Sequence, residues 1–351
     1  MPAYNYQILS KLEYFHDLVW RIDATQKGTR VAVATMAFDP HERPIHDLII
    51  ALTAAARRGV QTHLVLDAYT FLVHDKRLWP GPLWSQTKLP VTLPEPFHTT
   101  WAVLQEFEAA GGRYGITNIP VKPFRNPYSG RSHIKGAVIG DYIYIGGCNL
   151  DSPGYIDIML GRTHKESADW VYDWFVSMCA TASTVLTYQG ADKRKAFGDG
   201  SEIIIDSGIP RRSAIYRRAL RLIDSAKETV YLTCQFFPGG ETAQHLLAAH
   251  KRGVDVRIVY SHPATHGSKR LMHALHVRRE RMRLPTDFFA EQQPARTPKL
   301  HAKILVTDSI SLIGSHNYVP QGVNLGTAEI ALQNNNPDLA QTVIRKIGSQ
   351  L

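Results

Sequence analysis

The sequence predicts an α/β protein made of two similar α/β sandwich halves, an internal duplication, with the active site at their interface. Three observations carry that expectation. First, His133-Ile134-Lys135 and His301-Ala302-Lys303 are one three-residue device written twice. Second, each copy is followed, at the same spacing from its Lys, by Gly146-Gly147-Cys148-Asn149 or Gly314-Ser315-His316-Asn317. Third, a helix closed by Gly and running into an apolar strand occurs upstream of both, at Ile45–Asp67 and Glu241–Tyr260. A lone His-x-Lys would carry no information in a chain with 16 His and 40 Lys plus Arg. Two copies with matched sequels do, because chance does not keep the spacing.

From the amino terminus, Met1–Thr25 threads Lys11, Glu13, Asp17, Arg21 and Asp23 through apolar residues, which predicts an amphipathic helix and not a signal peptide. Arg30–Phe38 reads as a strand. The helix from Ile45 ends at Gly59, the residue type that closes a helix in the left-handed conformation, and Gln61–Asp67 is the next strand. Phe71–Trp101 is an insert without counterpart in the second half. Its Pro content argues against helix or central strand, and it carries Trp79, Trp84, Phe97 and Trp101 beside Lys76, Arg77 and Lys88. Two readings stay open for it: a substrate rim or membrane-interface loop, or aromatic residues packing a loop onto the body.

The first hairpin follows. Residues i and i+2 of a strand share a face, so His133 and Lys135 project together, and the chain turns near Asp141 to return toward Asn149. The polar stretch Gln189–Ser201 breaks the apolar rhythm and sets the expected boundary between halves at 1–190 and 198–351. The second half repeats the plan with a strand at Thr229–Phe237, its helix, and a strand at Asp255–Tyr260. Ser261–Lys299 then holds Lys269, Arg270, Arg278, Arg279, Arg281 and Arg283 in a segment readable as a basic helix. That helix is either a collector of phosphate-bearing substrate or a solvated face. The closing hairpin carries His301, Lys303 and Asp308.

A chain of 351 residues can bury one large or two medium cores. Its net charge of +9 favours an anionic partner, whether lipid headgroup or nucleic acid. Three cysteines (Cys148, Cys179 and Cys234) without close spacing predict free thiols in a reducing compartment, with Cys148 a small buried side chain rather than a nucleophile. No run of apolar residues is long enough for a transmembrane helix, so the expected location is the cytoplasm or a membrane surface. No His/Asp/Glu cluster has metal-ligand spacing, and no metal or other cofactor is expected.

Two imidazoles, two ammonium groups and two amides at one sheet edge are what a phosphodiester reaction needs: a nucleophile, a proton donor near neutral pKa, and cations and amide donors for phosphoryl oxygens. Each His also needs a carboxylate to fix its tautomer, and Asp157, downstream of Asn149, and Glu329, downstream of Asn317, are the candidates.

The pattern resembles the phospholipase D superfamily, whose motif is His-x-Lys-x4-Asp followed by Gly-Ser/Gly/Thr-x-Asn, present twice. His301, Lys303, Asp308, Gly314, Ser315 and Asn317 fit in full. The first copy departs once: Gly140 holds the Asp position and Asp141 follows it, a shift within the turn. Gly146–Asp151, the Ala-Ala-x-Arg-Gly-Val helix end at Gly59, and Tyr155–Asp157 leading through Gly161 into Trp170–Phe175 resemble the cardiolipin-synthase-like branch. The resemblance implies a metal-independent reaction through a phosphohistidine, with His133 as nucleophile and His301 as acid/base. Lys135, Lys303, Asn149 and Asn317 would clamp the non-bridging oxygens. Two halves serve because the two imidazoles must approach phosphorus from opposite sides.

The expected function is therefore a peripheral-membrane phosphatidyltransferase or phospholipase. Its partner would be anionic phospholipid or a membrane surface, and it would be active as a monomer because both motifs lie in one chain. The alternative is a metal-independent nuclease with nucleic acid as partner. A third reading, a binding module left by decay at Asp141, is not enzymatic.

Overall fold

The computed structural model describes residues 6–70, 98–117, 130–181, 191–262, 270–282, 294–295 and 299–351. Eight strands come first: β1 (Gln7–Ser10), β2 (Arg30–Thr35), β3 (Gln61–Asp67), β4 (Arg113–Thr117), β5 (Gly136–Ile139), β6 (Tyr142–Gly146), β7 (Tyr155–Ile156) and β8 (Ile158–Thr163). All but β7 join a seven-stranded sheet in the order β1-β8-β6-β5-β2-β3-β4. From β9 (Lys193–Ala196) onward come β10 (Ser201–Ser207), β11 (Thr229–Cys234), β12 (Asp255–Ser261), β13 (Pro294–Ala295), β14 (Lys299–Leu300), β15 (Ile304–Thr307), β16 (Ile310–Gly314) and β17 (Ala328–Asn334). All but β14 join an eight-stranded sheet in the order β13-β12-β11-β15-β16-β17-β10-β9.

Set β9 aside and the two orders are the same, position for position. β2 pairs parallel with β3 as β11 does with β12, and antiparallel with β5 as β11 does with β15. The hairpins β5–β6 and β15–β16 and their outer neighbours β8 and β17 repeat the match. The internal duplication predicted from sequence is thus a duplication of sheet topology.

Strand alternation sorts each sheet into two faces. Ile143, Ile145, Ile158 and Leu160 meet Ile304, Ile313, Ile330 and Leu332 in a shared apolar layer between the sheets. The opposite faces are covered by helices. Val31, Val33, Tyr142 and Tyr144 pack under α1 (Lys11–Asp23) and α2 (Arg43–Arg57), joined by α3 (His98–Ala109). Val230, Leu232, Leu305 and Leu312 pack under α5 (Ala214–Ser225) and α6 (Glu241–Lys251). Before α5 in the chain comes α4 (Lys165–Thr181); later come α7 (Arg270–Arg281), α8 (Pro320–Leu325) and α9 (Pro337–Gly348). The helices α4 and α9 follow β8 and β17 and flank the central layer. The apolar layer shared by the two sheets ties the two hairpins together, and truncating Ile330 in that layer to Ala would cost about 2–5 kcal/mol.

The amino terminus differs from expectation. Gln7–Ser10 is a strand on β8, and the helix begins only at Lys11. The Ser10 N–H donates to Glu13 Oε2 at 2.7 Å, so Ser-x-x-Glu marks the start, a capping signal that the amphipathic reading overrode. In the insert, residues 71–97 lie outside the described residues. Trp101 sits on α3, edge-on to Tyr114 at 6.3 Å, and so packs the body. The basic segment includes a helix, α7, while Lys269 and Arg283 lie outside the described residues.

Candidate active site

The histidines are held by an exchange between halves. Short bridges pair Ser132 with Ala328, and β14 with β7. Through them the His133 N–H donates to Ala328 O at 2.8 Å, and the His301 N–H to Ile156 O at 2.8 Å. The residue after each acceptor carbonyl is the other half's carboxylate. His133 Nδ1 lies 2.9 Å from Glu329 Oε2, and His301 Nδ1 lies 2.5 Å from Asp157 Oδ2. Asp157 and Glu329 are therefore the orienting groups, each serving the imidazole of the opposite half. Close approach needs small residues beside the carboxylates: a Cβ on Gly147 would run into Asp157 Oδ1, and one on Gly314 into the backbone of Ile330. At the place of Gly147 the second half has Ser315, whose hydroxyl donates to Glu329.

Lys135 and Lys303 are buried, and each ammonium donates to the carbonyl of its own motif histidine, Lys135 to His133 O at 2.8 Å and Lys303 to His301 O. Burial lowers both against the pull of Glu329 and Asp157, Lys135 to about 7 with repulsion from Lys303 added, and Lys303 to about 8 with repulsion from Lys299 added. Burial also lowers His133 to about 4 despite the pull of Glu329, and lowers His301, which faces Lys303, Lys135 and Lys11 as well. Burial would raise Glu329, but His133, His316 and Lys135 outweigh it and hold it at about 2. These shifts favour neutral imidazoles beside an ionised Glu329. The centre has more cationic capacity than charge, a state that an entering anion would relieve.

Both histidines open into one cavity of about 620 Å3, shared with Asn149 and Asn317. The Oδ1 of each Asn is buried and has no hydrogen-bond partner among the described residues. Four further residues went unread in the sequence. Arg131 and Lys299 stand two positions before the histidines and line the cavity, so in both halves a cation precedes His-x-Lys, which lies in the segment leading into β5 or β15 and not on the strand itself. Arg131 is anchored by Asp67 at 3.0 Å. Lys11 is buried against Asp151, and its ammonium lies 4.8 Å from the centre of the Tyr155 ring, next to His301. His316 also lines the cavity, with Nδ1 accepting the Tyr318 N–H at 2.9 Å. The alternation signal would have found Arg131 and Lys299; nothing local signals Lys11. Cys148 is buried, which pushes its thiol well up, away from nucleophilic use.

The family model described as "Cardiolipin synthase, PLD-like domain" matches residues 219–350. Those residues are a phospholipase D-like domain. No curated protein sequence matches the chain. Among solved structures, a phosphatidylserine synthase from Haemophilus influenzae Rd KW20 is similar over 98% of this chain and 84% of its own, at a TM-score of 0.71 and 12% identity. A polyphosphate kinase from Porphyromonas gingivalis is similar over 98% of this chain and 50% of its own, at a TM-score of 0.58 and 11% identity. At such identities the likeness shows the fold. The whole chain therefore has the phospholipase D-like fold, a mixed α/β architecture, and the topology match above extends it to the first half. Among the described residues no helix is long and apolar enough to cross a membrane.

One predicted site residue is not brought to the cavity. Asp308 lies at the far end of β15, where its carboxylate accepts the N–H groups of Lys227, Glu228 and Thr229 at 2.9–3.0 Å. Its backbone is left-handed, at φ +52°, and Gly140 holds the equivalent turn at φ +56°. Asp308 ties the hairpin turn to the start of β11 and touches no reacting group. The shift of Asp141 is accordingly remote from the histidines.

Proposed function

We propose that this chain is a phospholipase D-type enzyme that cleaves a phospholipid phosphodiester and passes the phosphatidyl group to a second alcohol. The observation that carries the reading is the crossed pair of histidine–carboxylate couples opening into one cavity, with buried lysines behind them. His133 Nε2 attacks phosphorus, and the P–O bond to the leaving alcohol breaks as the P–N bond forms. His301, charged once the substrate anion has entered, gives its proton to the leaving oxygen. The acceptor alcohol then yields its proton to His301 as its oxygen displaces His133, which restores both imidazoles. Lys135, Lys303, Asn149 and Asn317 bind the non-bridging oxygens. Glu329 supports the nucleophile's role for His133. Held low by His133, His316 and Lys135 and taking hydroxyl hydrogen bonds from Ser315 and Thr327, it accepts Nδ1–H and leaves Nε2 with a lone pair.

Met36, Phe236, Val319 and Leu325 on the cavity wall, beside Arg131 and Lys299, suit a glycerophosphate with the start of its acyl chains. The test is product analysis with EDTA present, on phosphatidylglycerol/phosphatidylethanolamine vesicles and separately on single-stranded DNA, with His301→Ala alongside. A His301-dependent lipid product is expected, cardiolipin for transfer or phosphatidic acid for hydrolysis. Cut DNA with untouched lipid would replace this reading with the nuclease.

A further inference from the structure

The helix α7 is amphipathic the wrong way round for a soluble protein. Its inner face carries His273, His276, Val277 and Glu280, of which His273, Val277 and Glu280 are buried. His273 and His276 line the cavity, and Glu280 accepts the Gly240 N–H at 3.0 Å. Its outer face sets three exposed apolar side chains among arginines: Leu271 is 68% exposed, Leu275 51%, and Met282, just past the end, 72%. At 3.6 residues per turn these three fall on one stripe, with Arg278 between Leu275 and Met282 and Arg279 at its side. Both arginines are exposed, and the helix's acidic residue, Glu280, points inward.

We infer that α7 is the surface by which the protein lies on an anionic bilayer, Leu271, Leu275 and Met282 entering the interface and Arg278 and Arg279 meeting lipid phosphates. The inference rests on the phospholipid reading above and names the element that serves it. A helix is about 10 Å across, so a membrane on the outer face stands one helix diameter from the cavity wall formed by the inner face. Three apolar side chains with flanking arginines match an interfacial helix. A second copy of the chain fits less well, since a two-fold contact would set the arginines of this face against each other.

Vesicle co-sedimentation tests it, using phosphatidylcholine with and without phosphatidylglycerol. The wild type should bind the anionic vesicles. The Leu271→Ser/Leu275→Ser/Met282→Ser variant should bind at least about 100-fold more weakly, and Arg278→Gln/Arg279→Gln about 10-fold more weakly and with less salt dependence. Because all five side chains are exposed, Tm and turnover of soluble bis(p-nitrophenyl) phosphate should stay at wild-type values. A wild type that ignores anionic vesicles, or a triple variant that binds them equally, overturns the inference. So does a wild-type dimer in analytical ultracentrifugation that the triple variant dissolves. Wild-type vesicle binding that the triple variant loses, in a protein that turns over no phosphodiester, would uphold the docking surface and remove the proposed activity.

Discussion

The hairpin that delivers His133 turns on Gly140, while its counterpart turns on Asp308, whose carboxylate gathers three backbone N–H groups. Beside the carboxylates the halves differ again: Asp157 fits against Gly147, whereas Glu329 takes a hydroxyl from Ser315. The residues that face the cavity around each His-x-Lys are otherwise matched, down to the cations Arg131 and Lys299. The lesson is that the motif contains two kinds of residue. His, Lys and Asn are tied to the shared cavity, and the halves keep them. The turn Asp stabilises its own half only, so one half replaces it with Gly, which reaches a positive φ without strain.

The harshest way to break this comparison is to remove one imidazole at a time. His133→Ala and His301→Ala should each lower kcat by at least about 10³-fold with an unchanged circular-dichroism spectrum. A half whose histidine is dispensable would end the two-histidine account. Exchanging the small residues is gentler. Gly147→Ser should cost about 10²-fold or more, because its Cβ displaces Asp157 from His301. Ser315→Gly should cost about 10-fold, the loss of one hydrogen bond to a charged group. Equal effects would mean that the two carboxylates tolerate the same neighbour.

Proton uptake sharpens the electrostatic half of the comparison. With Lys135 held at about 7 and Lys303 at about 8, both are partly neutral near pH 8. A bound anion raises both, so orthovanadate binding at pH 8 should take up protons, read by calorimetry in buffers of different ionisation enthalpy; net release would reverse the sign. Stability should show the opposite pressure from acid. Below pH 6.5 the unfolded chain protonates His133, which the fold resists down to about 4, so Tm should fall across that window and fall less in His133→Gln. Smallest of all, Asp308→Gly should cost about 1–3 kcal/mol of stability with kcat within about two-fold, while Asp141→Ala should change neither.

The repeat made much of this readable before any coordinates. Apolar alternation and a Gly after each helix gave the strand–helix–strand units, and the matched His-x-Lys copies placed the hairpins in equivalent positions. Asp157 and Glu329 were legible as orienting carboxylates because an imidazole in this chemistry needs one. Less was readable where a residue's role depends on a distant surface. Lys11 reads as a helix-face cation, yet it is buried against Asp151, 140 positions away. The outward Leu271 and Leu275 went unread beside the arginines of the basic segment, since helical spacing identifies a stripe without saying what it faces.

By itself the sequence determined the duplicated α/β plan, the two hairpins and which polar groups recur in both halves, because periodicity, turn chemistry and residue spacing are properties of short segments. Only the tertiary structure decided that each histidine takes its carboxylate from the other half, across 196 residues for His133–Glu329 and 144 for His301–Asp157. It also decided that Asp308 lies outside the site. Those outcomes depend on how two sheets register against each other through one shared apolar layer, and no local pattern encodes that register.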